Sequence, residues 1–216
     1  MNLRNRTTQY AATIGLLVAT TGLAAPQAVA VTTGVSTKPA SSAAVKPLGK
    51  LGPLTGLIIE RLLVSDDVAA SKFGTDSPIE DPLREAQVLE QVRRQAGAAG
   101  VDAEAAVAIF RDQITASKQV QRGLFDRWTA HPDEAPTTRP DLGQIRTRLD
   151  QLTTDLLVEL KNTEPLRGKP IGCSVQLTLA EVTGAAVERL DTLHRQALRT
   201  ATDSVCGANE LAADGS

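Results

Sequence analysis

"VAIFRDQITASKQVQRGLFDRW", residues 107–128, is the stretch that decides the fold class. Val107, Phe110, Ile114, Ser117, Gln121, Leu124 and Trp128 recur at alternating steps of three and four, the seam of a packed helix. Five of the seven are apolar, but the middle two are a hydroxyl and a carboxamide, one turn apart and facing the same way. A buried polar group without a partner costs about 1–3 kcal/mol. Ser117 and Gln121 are therefore either satisfied by neighbouring backbone or water, or face a ligand.

The same conflict recurs upstream. In "RLLVSDDVAASK", Arg61 and Lys72 stand eleven residues apart, which on a helix returns to within roughly 20° of the start. Leu54, Leu57, Val64 and Val68 lie close to the same line, so the face carrying both cations is apolar and points inward. Asp81, Arg84, Glu85, Val88 and Val92 share a face of a second helix whose inner end is polar. Taken alone, that end reads as a solvated first turn with acidic residues favoured by the helix dipole. Three helices with polar residues at mid-stripe point instead to a shared polar cavity. Arg84 can pair with Asp81 or Glu85, whereas Arg61 and Lys72 still need a negative partner. An anionic ligand with more than one acid group supplies it.

From Leu54 onward the pattern is helical, with no β-alternation, and the expected class is all-α with five main helices. They run from about Leu54 to Lys72, from Pro82 to a Gly/Ala run at 96–100, from an Asp102 cap to about Trp128, from Leu142 to Lys161, and from Leu177 to Ser204. The fourth has Leu142, Ile145, Leu149, Leu152 and Leu156 as its stripe. The fifth is assigned Leu179, Val182, Ala186, Leu190, Leu193 and Ala197. "TAHPDEAPTTRP" and "TEPLRGKPIGC" read as breaks.

Residues 1–30 stand apart. Arg4 and Arg6 precede the apolar "AATIGLLVATTGLAA", and "AVA" at 28–30 offers the small residues of a signal-peptidase site, so export with cleavage after Ala30 is expected. A membrane anchor is the competing reading, but the apolar run is short and broken by Thr and Gly. Residues 31–53, rich in Ser, Thr, Pro and Gly, read as a disordered leader, 54–206 as one helical domain and 207–216 as a flexible tail. Lys+Arg 23 against Asp+Glu 25 gives no electrostatic reason to expect nucleic acid or an anionic membrane as partner. Cys173 and Cys206 are the only cysteines, an even number that suits a disulfide in an oxidising compartment. A redox or metal role is the alternative. There is no CxxC, and His131 and His194 have no ligand spacing, so no metal site is expected.

"RLLVSDDVAASKFGTDSPIEDPLREAQVL" followed by "FRDQITASKQVQRGLFDRW" resembles the helical chorismate mutases, most closely their exported, gamma-type subclass. The resemblance spans about Leu54 to Cys206 and rests on the order of its elements: a signal peptide, D-x-x-R-E as "DPLRE", "ASKQVQ" ending in Gln121, and two late cysteines. It implies a concerted rearrangement of chorismate to prephenate, in the route to Phe and Tyr, with no cofactor and no covalent intermediate. By the family pattern Arg61 and Arg146 clamp the two carboxylates and Arg84 adds to that shell. Lys72 and Gln121 donate to the ether oxygen, Asp81 and Glu85 serve the ring hydroxyl region, and Ser117 is a lesser carboxylate contact. Arg146 rests on the resemblance, because periodicity alone reads it as a surface charge beside the Ile145–Leu149 stripe. Some exported relatives carry a polar residue at the position of Val88 and no Glu after the arginine. This chain has the Glu85 arrangement of cytosolic relatives. The resemblance also implies a homodimer with each site inside one protomer. Two other classes stay open at this point: an exported helical protein that binds an anionic metabolite without turnover, and a structural protein whose polar positions are internally satisfied.

Overall fold

The computed structural model describes residues 47–207. The expected signal peptide at 1–30 and most of the leader and tail lie outside them. Six α-helices are present among the described residues: α1 Gly52–Lys72, α2 Pro82–Ala98, α3 Ala103–Ala130, α4 Leu142–Arg167, α5 Pro170–Val187 and α6 Thr192–Ala201, with a 3-10 turn at Pro132–Glu134. No described residue is in a strand, and no described helix is long and apolar enough to cross a membrane.

Four helices begin on an aspartate whose carboxylate accepts a backbone N–H of the first turn. Asp81 accepts from Arg84 N at 3.0 Å, Asp102 from Ala105 N at 2.7 Å, Asp141 from Gln144 N at 2.8 Å and Asp191 from His194 N at 2.9 Å. Each such cap is worth about 1 kcal/mol. Gly100, at φ +66°, closes α2 with Val101 N donating to Ala96 O at 2.9 Å, and the chain reverses directly into α3.

The long α3 is the central element, packed against α1, α2 and α6, while α1 also packs on α4 and α5. Leu54, Ile58, Ile109, Phe110, Val120, Leu156 and Leu160 form the middle of the core, all fully buried. Gly184 lets α5 lie against α1, since a Cβ there would fall 2.6 Å from Ile59 Cδ1. The cavity described below opens between α1, α2, α3 and α4.

Three expectations need correction. The folded part begins by Pro47 rather than at Leu54. Leu51 is fully buried, and the backbone N–H groups of Leu48 and Lys50 donate to Thr183 Oγ1 and Gln176 Oε1. The fourth helix does not stop at Lys161 but continues through Pro165, one of its last residues, to Arg167. The expected single fifth helix is two, α5 and α6. Arg189 sits at φ 51° while Leu190 N donates back to Ala185 O at 2.9 Å, an αL helix terminator built on arginine instead of glycine. The break shifts the helical phase. The inward face of α5 is Cys173, Ala180 and Gly184, whereas Leu179 and Val182 are 40% and 64% exposed.

Cys173 and Cys206 are joined, with Cα atoms 5.6 Å apart, and the bond ties α5 to the turn after α6. The pair closes a loop of 33 residues, worth roughly 3–4 kcal/mol in the chain-entropy account. Replacing both cysteines by alanine is expected to lower Tm by roughly 10 °C. A melting curve unchanged between the variant and the non-reduced parent would show that the bond adds nothing to stability.

α6 is pinned to α1 by a second device. The His194 ring is almost fully enclosed, with Nε2 2.9 Å from Asp66 Oδ1 and Nδ1 2.7 Å from Asp191 Oδ1. Asp191 also faces Arg127 of α3 at 3.4 Å. A ring bonded to a carboxylate at each nitrogen is held as imidazolium. The bond to Asp66 raises His194 above its ordinary 6.5, burial opposes this, and Asp191 adds to the rise. Such a clamp stabilises the fold fully below the ordinary histidine value and is lost as pH climbs through the raised one. Tm of the parent should therefore fall relative to His194→Gln as pH rises above the ordinary histidine value. Parallel Tm profiles for the two proteins would contradict the clamp.

Candidate active site

A cavity of about 330 Å³ opens between the four helices and the 73–81 loop, within the ordinary size range for small-molecule sites. Its wall includes every residue that the sequence offered as catalytic or substrate-binding: Arg61, Lys72, Asp81, Arg84, Glu85, Ser117, Gln121 and Arg146. Val88 also lines it. α1 contributes Arg61 and Lys72 from its inward stripe, α3 contributes Ser117 and Gln121, and α2 presents its first turn.

Arg61 is the innermost cation. Its Nε donates to Gln113 Oε1 at 2.8 Å, and Nη1 donates to Leu149 O at 2.9 Å and Thr153 Oγ1 at 3.0 Å. The guanidinium carbon lies 5.0 Å from the centre of the Phe110 ring, a cation–π contact. Burial pushes Arg61 down to about 10, with Asp150 partly offsetting this. It keeps its charge at neutral pH. Within the protein, neutral oxygens and a ring hold the cation without an ion pair, so the negative partner expected for it is left to a ligand.

The other cations follow suit. Lys72 Nζ donates to the Pro78 carbonyl at 2.9 Å. Burial depresses Lys72, the carboxylates of Asp81, Glu80 and Glu85 oppose that, and the charge of Arg146 reinforces it. Arg84 does not pair with Asp81 or Glu85. Asp81 caps its backbone N–H, and both oxygens of Glu85 accept from Lys118 Nζ, at 3.0 and 3.1 Å. Among the described residues no ion pair involves Arg61, Lys72, Arg84 or Arg146. Arg146 is exposed on the protein surface, as periodicity alone would have it, yet borders the cavity.

The two polar residues of the α3 seam bond to each other. Ser65 Oγ donates to Ser117 Oγ at 2.8 Å, and Gln121 Nε2 donates to Ser117 Oγ at 3.1 Å and Ser117 O at 3.3 Å. Gln121 is 4% exposed and its Oε1 has no partner. To donate to a ligand, the amide must turn about its last torsion, a soft rotation for a carboxamide.

Sequence reasoning missed Gln113, Thr153 and Lys118. The signal for Gln113 was present: Gln113, Ser117 and Gln121 follow at steps of four, one polar line along α3. Thr153 lies four residues after Leu149 and seven after Arg146, on the cavity face of α4. Lys118 sits beside that line and could not be told from a solvated lysine. Among the described residues no group of three or more His, Cys, Asp or Glu could hold a metal ion.

The helices of this all-α protein bring Arg61, Lys72, Arg84, Arg146 and the Gln121 carboxamide to the wall of one cavity, a lining suited to an anionic small molecule. The family model for chorismate mutase type II matches residues 54–122. Along 179 residues the chain is 34% identical to the secreted chorismate mutase of Mycolicibacterium smegmatis, covering 83% of this chain and 97% of that protein. It is 34% identical over 159 residues to the secreted chorismate mutase of Mycobacterium tuberculosis, covering 74% and 79%. The crystal structure of chorismate mutase from Burkholderia phymatum superposes with a TM-score of 0.69 at 37% identity, over 73% of this chain and 96% of that one. The chain belongs to the type II, all-helical chorismate mutase family.

Proposed function

We propose that the protein is an exported chorismate mutase that converts chorismate to prephenate by positioning and electrostatic stabilisation, with these residues as its machinery. The observation that carries the assignment is the set of four cations without internal ion pairs, facing one cavity together with Gln121. Chorismate brings two carboxylates and an ether bridge. Arg61 and Arg146 take the carboxylates, with Arg84 and Ser117 adding to that shell. Lys72 and the turned amide of Gln121 donate to the ether oxygen. Asp81 and Glu85 face the ring hydroxyl, Glu85 with its charge balanced by Lys118.

In the reaction the ether C–O bond breaks as a C–C bond forms, and negative charge gathers on the ether oxygen in the transition state. Donors aimed at that oxygen bond more strongly to the transition state than to the substrate, which is what lowers the barrier. The carboxylate clamps hold the diaxial, chair-like conformer that is minor in water, so the reacting carbons begin close together. No group in the protein needs to form a covalent bond.

Export is supported by the n-region, h-region and "AVA" site at residues 1–30 and by the secreted relatives. Residues 31–46 act as a leader to the helical domain, and the family pattern supports a homodimer with one site per protomer. The deciding experiment is to purify residues 31–216 under oxidising conditions, add chorismate, and follow its loss and the appearance of prephenate. Conversion far above the uncatalysed rate is expected. A folded, disulfide-intact protein that binds chorismate without converting it would replace the enzyme by a binding protein.

A further inference from the structure

The groups bonded to Arg61 are three neutral acceptors, with an aromatic ring against the guanidinium, and the one carboxylate that acts on its charge, Asp150, makes no hydrogen bond or ion pair with it. Gln113 is its key member. It is 6% exposed, its Oε1 takes the Arg61 Nε–H at 2.8 Å, and its Nε2 is buried with no partner. An unsatisfied buried amide is a standing cost to the fold. Glutamate has the same length and would meet Arg61 with the same geometry and a charge-assisted bond. A glutamine in this place therefore keeps the reach and forgoes the ion pair.

We propose that Gln113 is a positioning residue that fixes the Arg61 guanidinium while leaving its charge free for a substrate carboxylate. Thr153 and the Leu149 carbonyl complete the hold from α4, so the guanidinium is anchored from two helices and cannot swing away from the cavity. Inside a low-dielectric site, a cation already paired with a carboxylate attracts a second one weakly, and the paired carboxylate repels it. Neutral anchoring avoids both effects. This inference rests on the dianion-binding reading above and adds the reason why the innermost cation makes no direct ion pair within the protein.

The test compares the parent with Gln113→Glu and Gln113→Met, each as residues 31–216 with the disulfide intact. Chorismate kinetics, prephenate affinity by calorimetry and Tm are measured. Gln113→Glu keeps the bond and should hold or raise Tm, yet raise KM and the prephenate Kd about tenfold or more, with a smaller change in kcat. Gln113→Met removes the bond and should lower kcat as the guanidinium loses its orientation. A Gln113→Glu protein that binds prephenate within about twofold of the parent overturns the proposal, because a merely structural acceptor would behave so. Because binding is read on prephenate, a parent that binds but does not turn over would sink the proposed reaction and leave the Gln113 comparison decisive. A parent that binds neither compound overturns both.

Discussion

Arg61→Met is expected to lower kcat/KM by on the order of 10³, more than any other single change in the site. The guanidinium is the deepest cation in the cavity and has no ion pair of its own, so a carboxylate that loses it meets no replacement. Truncating one side of a buried, hydrogen-bonded charge pair costs about 2–5 kcal/mol in a complex, which is roughly 30-fold to several thousand-fold in an equilibrium. Stability should move the other way. In the free protein the buried charge of Arg61 is a cost, visible in the drop to about 10, and methionine fills the space against Phe110 without it. Gln113 loses a donor, but the Leu149 carbonyl still accepts from Thr153 Oγ1 at 2.8 Å. The expected result is a protein that melts no lower than the parent and hardly reacts. Arg61→Lys should recover little, because a point ammonium cannot reach Gln113 and α4 together. Parent-like kcat/KM in Arg61→Met would remove Arg61 from the carboxylate clamp.

Gln121→Ala is the second large effect, expected to cost on the order of 10²–10³ in kcat with a smaller change in KM, as for other donors aimed at developing charge. Its partner variant, Gln121→Glu, separates donation from packing. A carboxyl donates a hydrogen bond only when protonated, so this variant should be active in mild acid and lose kcat as pH rises. The parent should differ. An amide donates at any pH, and Arg61, at about 10, keeps its proton well above neutrality. Its kcat is therefore expected to be nearly flat from about pH 5 to about pH 7.5. A steep fall in the parent over that range would mean that some other group, not Gln121, supplies the donor. Equal profiles for parent and Gln121→Glu would remove Gln121 from the ether oxygen altogether.

By itself the sequence determined the elements and their inward faces wherever local chemistry and burial agree. The 3-4-3-4 seam of α3, the Leu142–Leu156 stripe of α4 and the aspartate caps at 81 and 102 are set within a turn or two of chain, and all of them stand in the structure. The polar residues at mid-stripe marked the cavity for the same reason: burying a charge without a ligand is costly, so a cation on an apolar face announces a site. Tertiary structure decided what depends on partners far along the chain. The break at Arg189 carries no glycine or proline, and only the docking of α5 and α6 on different parts of the core imposes the αL turn there. Lys118 reads as a surface lysine until Glu80, from the loop before α2, and Glu85, from its first turn, arrive beside it. Arg61 could be assigned to the interior from its spacing, but that its hydrogen-bond partners would be Gln113, Leu149 and Thr153 depended on α1, α3 and α4 meeting at one point. Helical period specifies the direction in which a side chain points. The groups it meets are specified by helix packing, which sums contacts between residues separated here by 52 to 92 positions.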